Sequence, residues 1–302
     1  MRPLRILAVL TLIGVTVPSA SAQTDSASSL VRQARQLNNQ GKSSEALAVY
    51  QQAMALAPTM YDAHAGAGAV LDLMGRYEEA RKHLTQAIAL ATPQQKSGAL
   101  RAMVISYLFD RRGAEGIPYG KQAVDLAVVA GDFNAAAEIT NEVARVLIES
   151  NALDEAQAWY DQGYQYALKQ TALPDSAKDL WEFRYENALA RVAARRGNGQ
   201  EALTHVNAAK AAFARGRIPD QAPFVSYLAG YVAFYQKDYR TAIAELERGN
   251  QRDPFILALL AQAYEQSGNA SRAMDYWKQV LTYSMHNPTN AYARPLAQAK
   301  VK

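Results

Sequence analysis

Cysteine is absent from this 302-residue sequence, so no disulfide bond can stabilise the fold. The absence also excludes a lipid attached to a cysteine that follows the N-terminal apolar run. Histidine is scarce, with four residues, and no pair has the spacing or the flanking acids of a typical metal site. His64 and His83 would lie on neighbouring helices of one hairpin, and we interpret them as packed or solvated imidazoles. We predict no metal and no cofactor.

A strong charge of one sign is missing as well. The chain has 32 Lys and Arg against 28 Asp and Glu, and its formal charge falls from +4 to +2 when Arg2 and Arg5 are removed with the predicted signal peptide. This balance gives no reason to expect a nucleic acid or an anionic membrane as partner. With 49% hydrophobic residues the chain can bury a core and is not disordered by composition.

The longest apolar run lies at the N-terminus, over residues 6–17. It follows Arg2 and Arg5, precedes the small-residue ending Ala20-Ser21-Ala22, and is too short to span a bilayer. This pattern predicts a bacterial signal peptide with cleavage after Ala22. We therefore expect a processed protein that does not span the membrane, in the periplasm or, alternatively, secreted.

Catalytic motifs are missing too. Gly41-Lys42-Ser43 looks like the end of a phosphate-binding loop, but Gln36 stands where that loop needs a glycine. Gly66 and Gly68 lack the third glycine of a dinucleotide-binding turn, and no Gly-x-Ser-x-Gly elbow occurs. We predict no catalytic residues and no enzyme activity. A hydrolase with a site assembled from scattered residues is the least favoured alternative.

What the sequence does contain is a repeating pair: an alanine followed four residues later by a bulky apolar residue. The copies are Ala46/Tyr50, Ala80/Leu84, Ala156/Tyr160, Ala202/Val206, Ala242/Leu246 and Ala273/Trp277, with a degraded copy at Gly116/Gly120. A small residue follows seven positions after most of the leading residues, as at Ala53 and Ala87. Such small residues share one helical face, where a neighbouring helix can approach closely.

The first two copies match in register with a period of 34 residues. The matched pairs are Gly41/Gly75, Glu45/Glu79, Ala46/Ala80, Ala53/Ala87 and Leu56/Leu90, with Pro58 and Pro93 after the second helices. This pattern resembles the tetratricopeptide repeat, a helix-turn-helix unit, over roughly residues 28–286. The resemblance implies an all-α fold, a right-handed α-solenoid of about seven helical hairpins. It also implies that the first helix of each unit lines a concave groove that binds a partner.

We divide the chain into a signal peptide at residues 1–22, the solenoid at 23–288 and a C-terminal tail or cap at 289–302. Residues 23–28 are expected to form a short flexible lead-in. The tail contains Pro295 and is expected to trail along the last helical pair.

A cluster of arginines and asparagines is predicted on the concave side of the middle units. Its members are Asn141, Arg145, Arg184, Asn187, Arg191 and Arg195. Together they would suit an acidic peptide segment or chain end, because arginine forks bind carboxylates and asparagine binds peptide groups. The alternative is a solvated face with helical ion pairs to Glu142, Glu149, Glu182 and Glu186. If Arg191 is part of the groove, Arg191→Glu is expected to weaken binding without changing the melting temperature.

An aromatic stripe follows at Tyr227, Tyr231 and Tyr235, which share one helical face. As a surface it could stack on apolar side chains, a proline segment or a sugar ring. As core it would fill the seam against the following unit.

These observations favour an exported, non-catalytic adaptor that binds another protein or a peptide segment of the cell envelope. A glycan-binding or small-ligand-binding protein that uses the tyrosine stripe is the alternative.

Overall fold

The computed structural model describes residues 20–301, and within this range the chain forms fifteen α-helices and no strand. The helices are α1 (Ala20–Asn39), α2 (Ser43–Leu56), α3 (Tyr61–Leu73), α4 (Tyr77–Leu90), α5 (Pro93–Phe109), α6 (Ile117–Val129), α7 (Phe133–Glu149), α8 (Leu153–Leu168), α9 (Asp175–Arg195), α10 (Gly199–Ala214), α11 (Ala222–Tyr235), α12 (Tyr239–Leu246), α13 (Pro254–Gln266), α14 (Ala270–Leu281) and α15 (Pro288–Lys300). Residues 1–19 of the predicted signal peptide lie outside the described residues.

Helices α1 to α14 form seven consecutive hairpins, from α1 with α2 to α13 with α14. Each hairpin turns at a residue with positive φ, two positions after its first helix ends. These residues are Gly41, Gly75, Arg111, Asn151, Gly197, Lys237 and Gly268. The all-α solenoid of helical hairpins that the repeat pattern predicts is therefore confirmed.

The alanine register marks the seams between helices. The alanine and the bulky residue of each regular copy are buried, including Trp277 in the last unit. Two of the bulky residues, Leu84 and Leu246, pack onto a glycine of the preceding helix, where a larger residue would clash. A Cβ on Gly68 would lie 2.7 Å from Leu84 Cγ, and one on Gly230 would lie 2.7 Å from Leu246 Cγ. In the degraded third copy, a Cβ on Gly120 would lie 2.6 Å from Val143 Cγ2.

Both ends of the solenoid differ from the expectation. The predicted flexible lead-in belongs to α1, because Ala27 is buried against the first hairpin and continues the apolar face of Val31 and Ala34. The predicted tail is helix α15, which packs against α13 and α14 and also reaches α5 and α7. Its alanines, Ala291 among them, supply the buried face that the absence of large apolar residues concealed.

Polar contacts join this C-terminal segment to the first units. Arg294 donates to the carbonyl oxygens of Leu73 at 2.7 Å, Leu281 at 3.1 Å and Tyr283 at 2.8 Å. Asn38 donates to the carbonyl oxygen of Ser284 at 3.1 Å. His286 Nε2 lies 2.8 Å from Asp72 Oδ2, which is buried. The inner side of the solenoid is thus partly filled by the chain itself.

Candidate partner-binding cavity

The part of the inner side that α15 leaves open is a cavity of about 380 Å³. It lies between the first helices α5, α7, α9 and α11 and the first turn of α15 at residues 287–289. Six of the nine predicted partner-binding residues line it: Asn141, Arg145, Arg184, Asn187, Arg191 and Tyr227. Residues four apart on α7 and on α9 share a helix face, which explains why the two asparagine-arginine pairs meet there.

Two arginines of the cavity are already paired. Arg101 makes a two-pronged contact with Glu142, at 3.0 and 2.6 Å. Arg184 donates to Glu138 Oε1 at 2.6 Å, and its guanidinium lies 5.0 Å from the centre of the Trp181 ring. These side chains are partly exposed, so each pair contributes little to stability and can exchange partners.

Ion pairs within one helix were the alternative interpretation of this cluster, and the four glutamates pair differently. Each of them contacts a residue from another part of the repeat array. Glu142 contacts Arg101, Glu149 contacts Arg195, Glu182 contacts Arg215 and Glu186 contacts His205. Arg195 is the one partner on the predicted list, and its pair links α7 to α9. The pairs of Glu142 and Glu149 therefore join neighbouring hairpins, whereas those of Glu182 and Glu186 connect α9 to α10 within one hairpin.

Arg191 lies deeper in the cavity and is 6% exposed. Its Nη2 donates to Tyr160 Oη at 3.0 Å, whereas its Nη1 has no hydrogen-bond partner among the described residues. Arg191 forms no ion pair with any described residue at contact distance. Arg191 thus lines the cavity as predicted, but because it is buried we expect Arg191→Glu to lower stability as well as binding.

Arg145 is the second arginine of the cavity without a carboxylate partner among the described residues. Its guanidinium lies 5.0 Å from the centre of the Phe255 ring, and its buried Nε has no hydrogen-bond partner there. Arg145 interacts electrostatically with the buried acid Glu149, which is 3.2 Å from Arg195. Burial raises the pKa of the Glu149 carboxyl, although Arg195, Arg145 and Arg191 all act in the opposite direction. Three arginines thus face one buried acid.

The walls around these charges are largely aromatic. Tyr160 and Phe183 are buried, and Phe224 is exposed at the edge of the cavity. Tyr227 is buried with a hydroxyl that has no partner among the described residues, and burial raises its pKa to about 12. The cavity therefore offers cationic and amide donors within an apolar enclosure, which suits a carboxylate carried by an apolar body.

The other three predicted residues lie in the core beside the cavity. Tyr231 is 0% exposed and stacks on Phe255 of α13, with ring centres 6.2 Å apart. Tyr235 lies 4.7 Å from Tyr231 between ring centres, and Arg195 donates to the Tyr235 hydroxyl at 3.2 Å. The stripe thus fills the seam toward the unit of α13, and a ligand in the cavity would reach only Tyr227.

Sequence reasoning missed Arg101, Glu138, Phe183 and the first turn of α15 at residues 287–289. Phe183 precedes Asn187 by one helical turn, so the same helical face could have indicated it. The turn carries no such signal, because only the return of α15 brings it to the cavity.

Residues 37–104 match the sequence model of the tetratricopeptide repeat. This match and the seven stacked hairpins support the tetratricopeptide-repeat architecture that the motif resemblance predicts. Such repeats typically form scaffolds for protein-protein interaction, and this is the class the fold suggests. None of the helices in residues 20–301 combines the length and apolar character needed to cross a bilayer.

Three solved structures resemble the chain at low sequence identity. YrrB, described as a TPR protein with an unusual peptide-binding site, is 18% identical, covering 64% of this chain and 93% of its own, with a TM-score of 0.42. A tetratricopeptide repeat protein from Parabacteroides merdae is 14% identical, covering 90% and 99%, with a TM-score of 0.47. The pilF protein of Pseudomonas aeruginosa is 14% identical, covering 86% and 92%, with a TM-score of 0.33. No curated protein sequence matches the chain.

Proposed function

We propose that the chain is an exported, non-catalytic scaffold that binds an acidic segment of another cell-envelope protein in the cavity between α5, α7, α9 and α11. The observation that carries this proposal is the presence of Arg145 and Arg191 in the cavity without a carboxylate partner among the described residues.

The charge balance supports an anionic ligand. A buried cation without a counterion is costly, and Glu149 offsets one of the three neighbouring arginines at most. A carboxylate that enters the cavity would gain charge-assisted hydrogen bonds in a place where water competes poorly. Asn141 and Asn187 would then be available to bind the peptide groups beside it.

Helix α15 restricts how a partner can enter. Since it packs on α5, α7, α13 and α14, an extended peptide cannot follow the whole inner side of the solenoid. The partner would instead insert an acidic side chain or a short segment at the open side, near Phe224.

Export to the periplasm is part of the proposal and depends on the N-terminal sequence pattern. Fractionation of the native bacterium, with N-terminal sequencing of the purified product, tests it. A protein found in the cytoplasm with its first 22 residues intact would contradict export and leave the cavity proposal standing.

Partner binding is tested with short fluorescent peptides that differ only in charge. An acidic peptide of alternating Glu and Leu should bind, and its counterpart with Gln for Glu should bind at least tenfold more weakly, because each lost charge-assisted hydrogen bond is worth about 1.5–3 kcal/mol. Arg145→Gln should reduce affinity for the acidic peptide alone.

Arg248→Gln is the matched control, since Arg248 is an exposed arginine on another unit that pairs with Glu245. Equal affinity for the two peptides, or an equal loss of affinity in both variants, would reject the cavity as the binding site. Folding of each variant is checked by circular dichroism before binding is measured.

A further inference from the structure

The arginine cavity carries two positive charges that its own lining does not balance. Four arginines and two glutamates line it, which gives the lining a net charge of +2. Each of the two glutamates is paired with one of the partly exposed arginines, Arg101 and Arg184. The excess charge therefore belongs to Arg145 and Arg191.

These two arginines act on the same place. Both guanidinium groups interact electrostatically with the Tyr227 hydroxyl and with Glu149. Glu149 is 3.2 Å from Arg195, which lies outside the lining, and it balances that arginine before the other two. A ligand group at this place therefore meets two cations.

The lining also offers several hydrogen-bond donors. Arg145 Nε, Arg191 Nη1 and the Tyr227 hydroxyl are buried and have no hydrogen-bond partner among the described residues. The Tyr227 hydroxyl keeps its proton at neutral pH, because burial raises its pKa to about 12. The Tyr160 oxygen accepts from Arg191 Nη2 at 3.0 Å, so its own O–H group can donate to a ligand. Such a set suits a group with several acceptor oxygens.

A phosphoryl group uses this set more fully than a carboxylate does. It has three acceptor oxygens and a charge of about −1.5 to −2 at pH 7, whereas a carboxylate has two oxygens and a single charge. Arginine forks bind phosphate oxygens in pairs, and two cations in one enclosure offset the desolvation of a dianion. Tyr160 and Phe183 are buried in the wall and Phe224 is exposed at its edge, so the wall offers apolar surface to the organic part of an ester.

We propose that the cavity binds a phosphate monoester, with the phosphoryl group between Arg145 and Arg191 and the organic part against the aromatic wall, an assignment that rests on the proposed function and specifies the anionic group that the cavity prefers. The ester and an acidic peptide compete for the same two arginines. A free phosphate ion has the same anionic chemistry, but only an ester also uses the aromatic wall.

The test is calorimetric titration of the purified protein with phenyl phosphate, inorganic phosphate and benzoate, in phosphate-free buffer at about pH 7.5, where the phosphoryl group is a dianion. Phenyl phosphate should bind with one-to-one stoichiometry and at least about tenfold more tightly than benzoate, which has the same ring and one carboxylate. Inorganic phosphate should bind more weakly than phenyl phosphate. Equal affinities for these two would identify the free ion as the ligand and overturn the assignment of an ester.

Arg145→Gln should remove most of the preference for phenyl phosphate over benzoate, because a single cation then remains for either ligand. Arg248→Gln, the exposed arginine on another unit, should leave the preference unchanged. If Arg145→Gln does not fold, displacement of the fluorescent acidic peptide from the wild-type protein decides. Phenyl phosphate must then displace the peptide at a concentration at least about tenfold lower than benzoate needs.

Equal affinity of the wild-type protein for phenyl phosphate and benzoate, or absence of phenyl phosphate binding, would overturn the proposal. Acidic peptide that still binds in that case would leave the proposed function standing. Failure of the peptide and of all three small ligands to bind would reject the cavity as an anion site.

Discussion

At the scale of single residues, burial decides what a charge does in this protein. The sequence places Arg191 on an open groove surface, where a charge reversal would change binding alone. The structure encloses it beside Glu149 and under the hydroxyl of Tyr160. A glutamate at this position would therefore place a second negative charge beside the buried Glu149, where the wild-type protein has a guanidinium group.

Arg191→Glu should lower the free energy of unfolding by about 3 kcal/mol or more, because it buries a second carboxylate near Glu149 without a cation of its own. Urea denaturation measures this difference. Arg248→Glu, at a position that is largely exposed, should change the free energy by less than about 0.5 kcal/mol. Similar values for the two variants would mean that Arg191 is accessible to water.

Asp179 is the clearest pH-sensitive residue. Hydrogen bonds from Arg217 and Arg215 lower its pKa from 3.8 to about 2. A lowered pKa stabilises the folded state above the unfolded pKa, and this contribution is lost as the pH falls from about 4 toward 2.

Asp179→Asn should thus reduce stability at pH 7, and the difference from wild type should shrink as the pH approaches 2. Thermal unfolding at pH 7, 4 and 2.5 measures this trend. A difference that stays constant over this range would show that the ion pairs do not carry the effect.

At the scale of elements, the seven hairpin turns share one backbone requirement. Gly41 has a φ of 77° with open space around it, whereas Gly98 lies within α5, also with open space. Because neither position would produce a steric clash, substitutions at the two glycines compare the strain of a left-handed backbone with the helix preference of alanine.

Gly41→Ala should destabilise the protein by about 1 kcal/mol, because alanine is strained in the left-handed region. Gly98→Ala should stabilise it by about 0.5–1 kcal/mol, because alanine favours the helix. Thermal melts of both variants decide the matter. The assignment of the first turn would be wrong if both shifts had the same sign.

The repeat elements were predictable because close helix contacts require small residues, and the regular spacing of these residues is visible in the sequence. Ala80 and Ala202 could be assigned to helix contacts from spacing alone, and they are 0% exposed. The cavity was predictable in part, since Arg145 and Arg191 follow from helical phase. Tyr231 shows the limit: a helical face identifies which residues point together, but not whether a later unit covers them.

At the scale of the whole molecule, α15 makes the inner side differ from an open groove. Nothing local in residues 288–300 indicates contact with α5, because that contact depends on how far the solenoid curves. Arg294 and His286 look like surface residues in the sequence, yet they bind partners more than two hundred residues earlier.

Deletion of residues 284–302 should destabilise the protein and enlarge it, because the first and last units would lose the segment that joins them. Small-angle scattering should detect a larger radius of gyration, and urea unfolding a less cooperative transition. Arg294→Met, which keeps α15 and removes the contacts to Leu73 and Leu281, should give a smaller change in the same direction. Unchanged dimensions after the deletion would show that the curvature does not need α15.

The contact between Arg294 and Leu73 also bears on how the chain acquires its structure during synthesis. Repeat arrays usually grow from local contacts, so early units can form as soon as they leave the ribosome. Here the carbonyl oxygen of Leu73 accepts hydrogen bonds from Arg294 and Gln298, which are translated more than two hundred residues later. Completion of the fold therefore requires a late, long-range contact. Its rate should be limited by the time that α15 needs to come into contact with α3.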